Sequence, residues 1–347
     1  MSKGRSAMKV LDEGEGELVG WYDPDENREW IARNKTPALV DKRMDLASAV
    51  SKFVKDGDIL GMGGFGHIRV SFAGIYEMIR QKKRNITMLG KTAAHDMDVL
   101  IGGGCVSKAE VAYSFAHELR GLSACGRRAV ESGTVKVVAE ISNGGFQWRF
   151  LGGMMGVPFI PCRMMLGSDT FRKSSAKVVE DPFTGKPICL LPSCNPDVVF
   201  IHVPRADCFG NCQIDGILIE DFELARAARR LIITTEKIIH NEDIRKHPDL
   251  TKIPGFIVDA VVEVKYGAHP TLMPDLYYFD EEVIGTWLEM SKTEEGTLQW
   301  MDKYVYGTSN FQEYLQLVGG EEKMKYLYDV EHYEAELKAP WLDKKKK

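Results

Sequence analysis

The chain has 347 residues, 44% of them apolar and 27% charged, which is the composition of an ordered globular protein with material for one large domain or two smaller ones. Lys plus Arg is 45 and Asp plus Glu is 50, a net charge of −5, which argues against the basic face of a nucleic-acid-binding protein. The longest uncharged stretch, Phe150 to Cys162, is broken by Gly152, Gly153, Gly156, Pro158 and Pro161 and is too short to span a bilayer. Met1 to Met8 leads into the acidic stretch Asp12 to Glu17, not into an apolar signal segment. Seven scattered cysteines, never spaced as CxxC, read as small buried hydrophobes of a reducing compartment and give no zinc site. The expectation is a cytoplasmic protein with no membrane and no nucleic-acid partner.

Residues 1–43 are polar and charge-dense, carry Trp21 and Trp30, and read as an N-terminal extension that wraps a surface. From 44 to 330 the pattern alternates. Leu46, Ala49, Val50, Phe53 and Val54 have helical spacing and stop at Asp56-Gly57-Asp58. The apolar run Ile59 to Met62 then ends in glycines. A helix is expected over Phe72 to Arg80, followed by a strand at Ile86 to Leu89. Further strand-like runs are Val135 to Val138, Pro187 to Leu191, Val198 to Val203 and Leu231 to Thr235, with a helix over Glu220 to Arg230. Short apolar strands alternating with amphipathic helices give an α/β fold, an open and mostly parallel sheet with helices on both faces. Residues 331–347 read as a C-terminal tail ending in Lys344 to Lys347.

Ligands of such sheets bind at the carboxyl ends of the strands, so the turns there carry the candidates. Gly63, Gly64, Phe65 and Gly66 follow a strand directly. Their spacing is neither a dinucleotide fingerprint nor a phosphate loop. It leaves two readings open, a bare backbone that meets a carboxylate, phosphate or thioester oxygen, or a plain tight turn. His67 and Arg69 come next and suit an anionic group, with solvated surface residues as the alternative. Gly103 within Gly102 to Gly104, Gly144-Gly145, and Gly152-Gly153 are further glycine clusters that together suggest a broad groove for an extended ligand. Arg149, among aromatic neighbours, is a second anion-binding candidate unless its stem only packs. Glu118, beside His117, is a candidate nucleophile or base, against the plainer reading of a surface glutamate. The histidines show no ligand spacing, so no metal is expected.

Taken together these motifs resemble the class I CoA-transferases. The resemblance is carried by the helix–strand–GGFG opening at 44–66, by Asp96 to Val106, by Arg127 to Gly133, by Phe150 to Phe159, and by Ala206 to Gly216 with Gly210-Asn211. Asn241 to Arg245, Ile253 to Gly255, Val258 to Val262 and Tyr266-Gly267-Ala268-His269-Pro270 resemble the A (alpha) subunit of the glutaconate type. The resemblance covers roughly residues 40–330. It implies a heteromeric enzyme that moves CoA between an acyl-CoA and a carboxylic, dicarboxylic by preference, acid. The route it implies is ping-pong through a glutamyl–CoA thioester, with CoA thioester as substrate and no permanently bound cofactor. In this type the glutamate belongs to the B (beta) subunit, in a Ser-Glu-Asn-Gly context; here Ser142-Asn143-Gly144-Gly145 is the nearest match and lacks it. No catalytic residue is therefore expected in this chain, Glu118 being the one candidate. Its part is a groove shaped by the glycine loops, with His67, Arg69, Arg149 and Asn211 among its lining. Two segments depart from the glutaconate type: Phe65 to Ser71 lacks a Lys-Pro, and Lys91 to His95 is bulkier and more basic. These are the positions where the resemblance places the acyl group. Alternatives are a hydrolase, decarboxylase or ring-opening offshoot of the same fold, or a non-catalytic scaffold chain.

Overall fold

The computed structural model describes residues 9–117 and 120–333. Along the chain come β1 (Val10–Glu13), α1 (Pro24–Asn34), α2 (Leu46–Phe53), β2 (Ile59–Met62), α3 (Phe72–Arg80), β3 (Ile86–Lys91), α4 (His95–Gly102), β4 (Val106–Ala112), α5 (Ala124–Glu131), β5 (Lys136–Glu140) and α6 (Asn143–Met155). Then follow β6 (Phe159–Cys162), α7 (Asp169–Arg172), β7 (Lys177–Glu180), β8 (Pro187–Pro192), β9 (Val198–Ala206), β10 (Cys212–Gln213), α8 (Asp221–Ala227), β11 (Arg230–Ile238), α9 (Asn241–Lys246), β12 (Thr251–Ile253) and β13 (Ala260–Glu263). Four helices close the described chain: α10 (Glu281–Met290), α11 (Glu294–Met301), α12 (Phe311–Leu317) and α13 (Gly320–Tyr333).

The central sheet is parallel in the order β13-β11-β9-β2-β3-β4-β5. From β2 the chain builds outward through β3, β4 and β5 on one side and returns to β9, β11 and β13 on the other. The strand order therefore reverses between β2 and β9, and the loops leaving these two strands diverge. That reversal opens a crevice at the carboxyl edge. The end of β9 also pairs antiparallel with β10, which pairs with β12. A second, antiparallel sheet runs β1-β7-β8-β6.

Burial on both faces explains why the central strands read as near-continuous apolar runs. Along β9, Val198 and Phe200 enter one core with α2, α3, α4 and the C-terminal helices. Val199, Ile201 and Val203 point the other way, into a core with α6, α8 and the antiparallel sheet. Burying one such side chain is worth roughly 1.5–3 kcal/mol. Trp287 and Trp300 meet edge-on at 5.5 Å and lie fully buried where α10 and α11 cover α4.

Residues 10–43 begin as β1, the edge strand of the antiparallel sheet, and end at Arg43, which bridges Val261 of β13 in the parallel sheet. Gly14 passes so close to the backbone at 174 that a Cβ there would lie 2.1 Å from the Ser174 carbonyl oxygen. Further on, the Arg229 guanidinium is held between the Tyr22 and Trp30 rings at 4.1 and 4.4 Å. Lys42, only 7% exposed, donates to the carbonyls of Gly255 and Val258 at 2.6 and 2.7 Å. At the other end α13 continues through residue 330 to Tyr333, so a boundary at 330 would cut a helix. No helix among the described residues is long and apolar enough to cross a membrane.

Candidate active site

Strained backbone gathers at the carboxyl edge of the parallel sheet. Positive φ at non-glycine residues occurs at Arg69 (54°) after β2, at Thr92 (49°) after β3, at Tyr113 (49°) and Phe115 (64°) after β4, and at Tyr266 (61°) after β13. Such residues persist only where their surroundings over-determine them, and they concentrate at functional sites. The segments after β2, β3 and β4 are neighbours in the sheet and form one wall of the crevice.

The loop after β2 is held from both sides of the strand reversal. Gly63 donates its amide to the Phe200 carbonyl at 2.7 Å. A Cβ at Gly63 would lie 2.7 Å from Ile201 Cγ1 and 2.9 Å from Asp221 Oδ1, so β2 can approach β9 and α8 only with glycine here. Gly64 (φ 85°) donates to Asp221 Oδ1 at 3.0 Å. Phe65 and Ile68 exchange backbone hydrogen bonds at 2.9 Å, closing a tight turn around Gly66 and His67. The Gly66 amide, buried in this turn, has no acceptor among the described residues.

Arg69 does not reach into the crevice as the sequence suggested. It is 0% exposed, and its two terminal nitrogens meet Asp221 Oδ1 and Oδ2 at 3.2 and 2.7 Å, with the Ile217 carbonyl at 2.8 Å. A fork expected to grip a substrate carboxylate grips the protein's own. Arg149 is likewise buried. It pairs with Glu110 of β4 and donates to the Val19 and Pro192 carbonyls at 2.5 and 2.8 Å, tying the N-terminal segment to α6. Burial raises the Glu110 pKa and the Arg149 charge opposes that rise. Neither arginine expected to bind an anion is thus uncommitted.

Other expected groove residues also lie elsewhere. Gly103 caps the carboxyl end of α4, where a Cβ would meet Ile79 at 2.5 Å. Gly152 and Gly153 are inside α6, where a Cβ would come within 2.3 Å of Ser193 Oγ and 2.2 Å of the Cys194 carbonyl, so bare backbone lets the helix pack there. Asn211 holds the turn after β9, donating to Asp207 and accepting from the Gly255 amide at 2.9 Å. Glu118 lies outside the described residues. Of the expected residues, the structure brings Gly63, Gly64, Phe65, Gly66 and His67 together at the crevice.

What the sequence pattern did not reveal is that the three loops each deliver a histidine. His67, His95 and His117 follow β2, β3 and β4 by four or five residues. Their ring centroids lie 5.6 Å (67–117), 5.7 Å (95–117) and 6.4 Å (67–95) apart. Phe72 and Trp287 flank His95 at 5.0 and 6.1 Å, and Phe279 lies 6.4 Å from His67. Burial, reinforced by the Arg120 charge, depresses the His67 pKa to about 3. Burial likewise holds His95 well below the usual imidazole range. Both rings are neutral at pH 7. The regular strand-to-histidine offset was the available signal, and it is visible only once the three strands are known to be adjacent.

Acidic groups frame the cluster. Asp98 accepts from Ser123 Oγ, from the Gly126 amide at 2.8 Å and from Trp287 Nε1 at 2.7 Å. Its Oδ2 lies 3.8 Å from His117 Nε2. Asp96, in the first turn of α4, is 5% exposed, and burial pushes its carboxyl up to about 6. At the crevice mouth Lys91 Nζ meets Glu220 Oε2 at 2.5 Å and sits 5.3 Å over the Phe65 ring. Burial raises the Glu220 pKa to about 8 and Lys91 pulls against that rise. No group of three or more His, Cys, Asp or Glu among the described residues is placed to hold a metal ion.

Comparison with known proteins agrees with this architecture. Residues 43–264 match the family described as Coenzyme A transferase. The chain is 55% identical to an uncharacterized protein of Archaeoglobus fulgidus over 96% of its own length and 75% of that protein. It is 32% identical to the A subunit of glutaconate CoA-transferase from Acidaminococcus fermentans, covering 80% of this chain and 92% of that one. The crystal structure of glutaconate coenzyme A-transferase from the same organism superposes with a TM-score of 0.78 at 31% identity, over 82% of this chain and 95% of that chain. A matching family covering most of the chain, a shared sheet and a glycine loop at the strand reversal lead to one assignment: this chain belongs to the coenzyme A transferase family, as a subunit of the A type.

Proposed function

We propose that the chain is the A subunit of a heteromeric CoA-transferase that moves CoA between an acyl-CoA and a carboxylic acid, with the nucleophilic glutamate supplied by a B subunit. The observation that carries this reading is that three carboxylates of the wall are already committed. Asp221 binds Arg69 and Gly64, Glu220 binds Lys91, and Asp98 binds Trp287 and Gly126. These carboxylates hold loops in place and leave the attack on a thioester to another group.

In the proposed cycle a glutamate oxygen on the B chain attacks the thioester carbonyl. The C–S bond breaks, giving an acyl-glutamyl anhydride and CoA thiolate. The thiolate attacks the glutamyl carbonyl, the donor acid leaves, and an enzyme–CoA thioester remains. The acceptor carboxylate then runs the sequence in reverse, so the glutamate is regenerated and no net proton is needed. This chain contributes a fixed wall. The Gly66 amide is the donor we assign to the thioester oxygen as it gains charge, which glycine's lack of a side chain makes approachable. We place the B chain against the rim beside His117, where Tyr113 and Leu122 stand 62% and 67% exposed.

The test is co-expression with a B-type CoA-transferase chain of the same genome, incubation with a panel of acyl-CoAs and acids, and borohydride reduction to trap the glutamyl–CoA thioester. The expected adduct maps to the B chain, and this chain alone is inert. Turnover by this chain alone, or an adduct mapped onto it, refutes the reading. Leu122→Asp is expected to abolish co-purification of the two chains while this chain keeps its circular dichroism spectrum.

A further inference from the structure

The histidine cluster carries a statement about which acids the site takes. His95 and His117 are fully buried, and neither ring nitrogen of either has a hydrogen-bond partner among the described residues. Asp98 Oδ2 lies 3.8 Å from His117 Nε2, beyond hydrogen-bond length. Unpaired polar groups in such an interior are costly and point to a partner from outside the fold. The two rings lie where the loops after β3 and β4 meet the glycine turn, 6.4 and 5.6 Å from the ring of His67, the residue that follows Gly66.

We propose that His95 and His117 form the floor of the acyl subsite and select acyl groups bearing an uncharged keto or hydroxyl oxygen over those ending in a second carboxylate. This rests on the transferase reading for the nature of the ligand. A neutral imidazole such as His95, held in that form by burial, offers one N–H and one bare nitrogen. With a ring nitrogen of His117 beside it, it satisfies a hydroxyl, which donates and accepts, or a keto oxygen, which accepts. A carboxylate meets the opposite conditions. Asp98 and Asp96 flank the rings, and the cations around the crevice already hold carboxylates: Arg69 with Asp221, Lys91 with Glu220, Arg120 with Glu281. Burying a second anion there without a cation is unfavourable.

The test uses the co-expressed A–B complex with acetyl-CoA as donor and five-carbon acceptors of matched size: pentanoate, glutarate, and the 3- and 4-oxo and 3- and 4-hydroxy pentanoates. At least one oxo or hydroxy acid is expected to exceed both pentanoate and glutarate by about tenfold in kcat/KM, the worth of one well-made hydrogen bond. His95→Phe and His117→Phe keep an aromatic ring and should bring the oxo-to-alkyl ratio towards one. His95→Gln, which keeps a donor and an acceptor, should retain the preference. Glutarate as the best acceptor, or equal rates throughout, overturns the proposal whether or not the variants fold. If the complex transfers CoA to none of these acids, the transferase reading fails separately. The subsite is then judged by nitrogen-15 histidine spectra of the complex with pentanoyl-, 4-oxopentanoyl- and glutaryl-CoA. Shifts of the His95 and His117 resonances specific to the oxo thioester support it, and their absence, or shifts common to all three, refutes it.

Discussion

Replacing Asp221 by Asn isolates the charge that anchors the glycine loop. The side chain keeps its shape and an oxygen able to accept from Gly64, but Arg69 loses its counter-ion. Both members of the pair are 0% exposed, so the guanidinium would be left charged in the interior. Breaking a buried pair from one side costs about 3–5 kcal/mol. For a chain of this size that is a fall in Tm of roughly 4–7 °C. Asp221→Ala also strips the Gly64 amide of its acceptor and should cost about 1 kcal/mol more. Arg69→Met with Asp221→Leu removes both charges together, so the double variant should be more stable than either single. A positive coupling of about 1–3 kcal/mol is the expected signature. Differential scanning calorimetry of the wild type, Arg69→Met, Asp221→Leu and their double variant closes the cycle, and the same scans read Asp221→Asn and Asp221→Ala. If each single change shifts Tm by less than about 2 °C and the double variant is merely their sum, the pair does not anchor the loop.

Gly63→Ala places a methyl against Ile201 and Asp221 at 2.7 and 2.9 Å. The loop must shift, and misplacement on that scale should lower the transfer rate of the assembled enzyme by about 10²-fold, while similar KM values mark the loss as positional. Acid should destabilise the fold through His67. Its folded pKa of about 3 lies below the unfolded 6.5, so the unfolded chain binds the proton first. Stability is complete above about pH 6.5 and falls towards pH 3, by about 5 kcal/mol in total; urea midpoints between pH 4 and 7 should slope less in His67→Phe than in the wild type. Glu220, raised to about 8, acts in the other direction, costing stability as pH climbs from 4.5 through 8. Arg229→Ala removes the cation between Tyr22 and Trp30; a loss of about 1–2 kcal/mol and faster tryptic cleavage within residues 10–43 are expected, and unchanged proteolysis would show that this contact does not hold the segment down.

The parallel strands were legible because they are buried on both faces. Ile59 to Met62 appears as a strand where the apolar run predicted one, and Val198 to Val203 lies inside the longer β9 (Val198–Ala206). α6 was hidden by its own glycines. Gly144-Gly145 and Gly152-Gly153 read as turns, yet they lie in a helix that needs bare backbone to sit against Ser193 and Cys194. The arginines misled for a different reason. A sequence displays Arg69 and Arg149 as unattached cations, because the carboxylates that claim them lie 152 and 39 residues away. Local pattern reports which residues are able to bind an anion. Only the fold reports whether the anion is already the protein's own. The histidines reverse that lesson: His67, singled out alone in the sequence, joins His95 and His117 in one cluster because β2, β3 and β4 are neighbours.

The same geometry bears on why two chains would share one reaction. Arg69, Thr92, Tyr113 and Phe115 each hold a conformation costing of order 1–3 kcal/mol, and all four stand on loops of the same wall. Such strain persists because side-chain contacts over-determine it, Arg69 by Asp221 and Thr92 by Asn143 at 3.1 Å. A wall fixed in this way suits groups that must already point at charge before it develops, as a thioester oxygen requires. It suits a covalent nucleophile poorly, since the acyl-carrying carboxylate must present its carbonyl first to CoA thiolate and then to the acceptor acid. In the proposed cycle, placing that group on a separate chain would let the A-type wall stay rigid through every intermediate, while the chain bearing the adduct would make the adjustments between them.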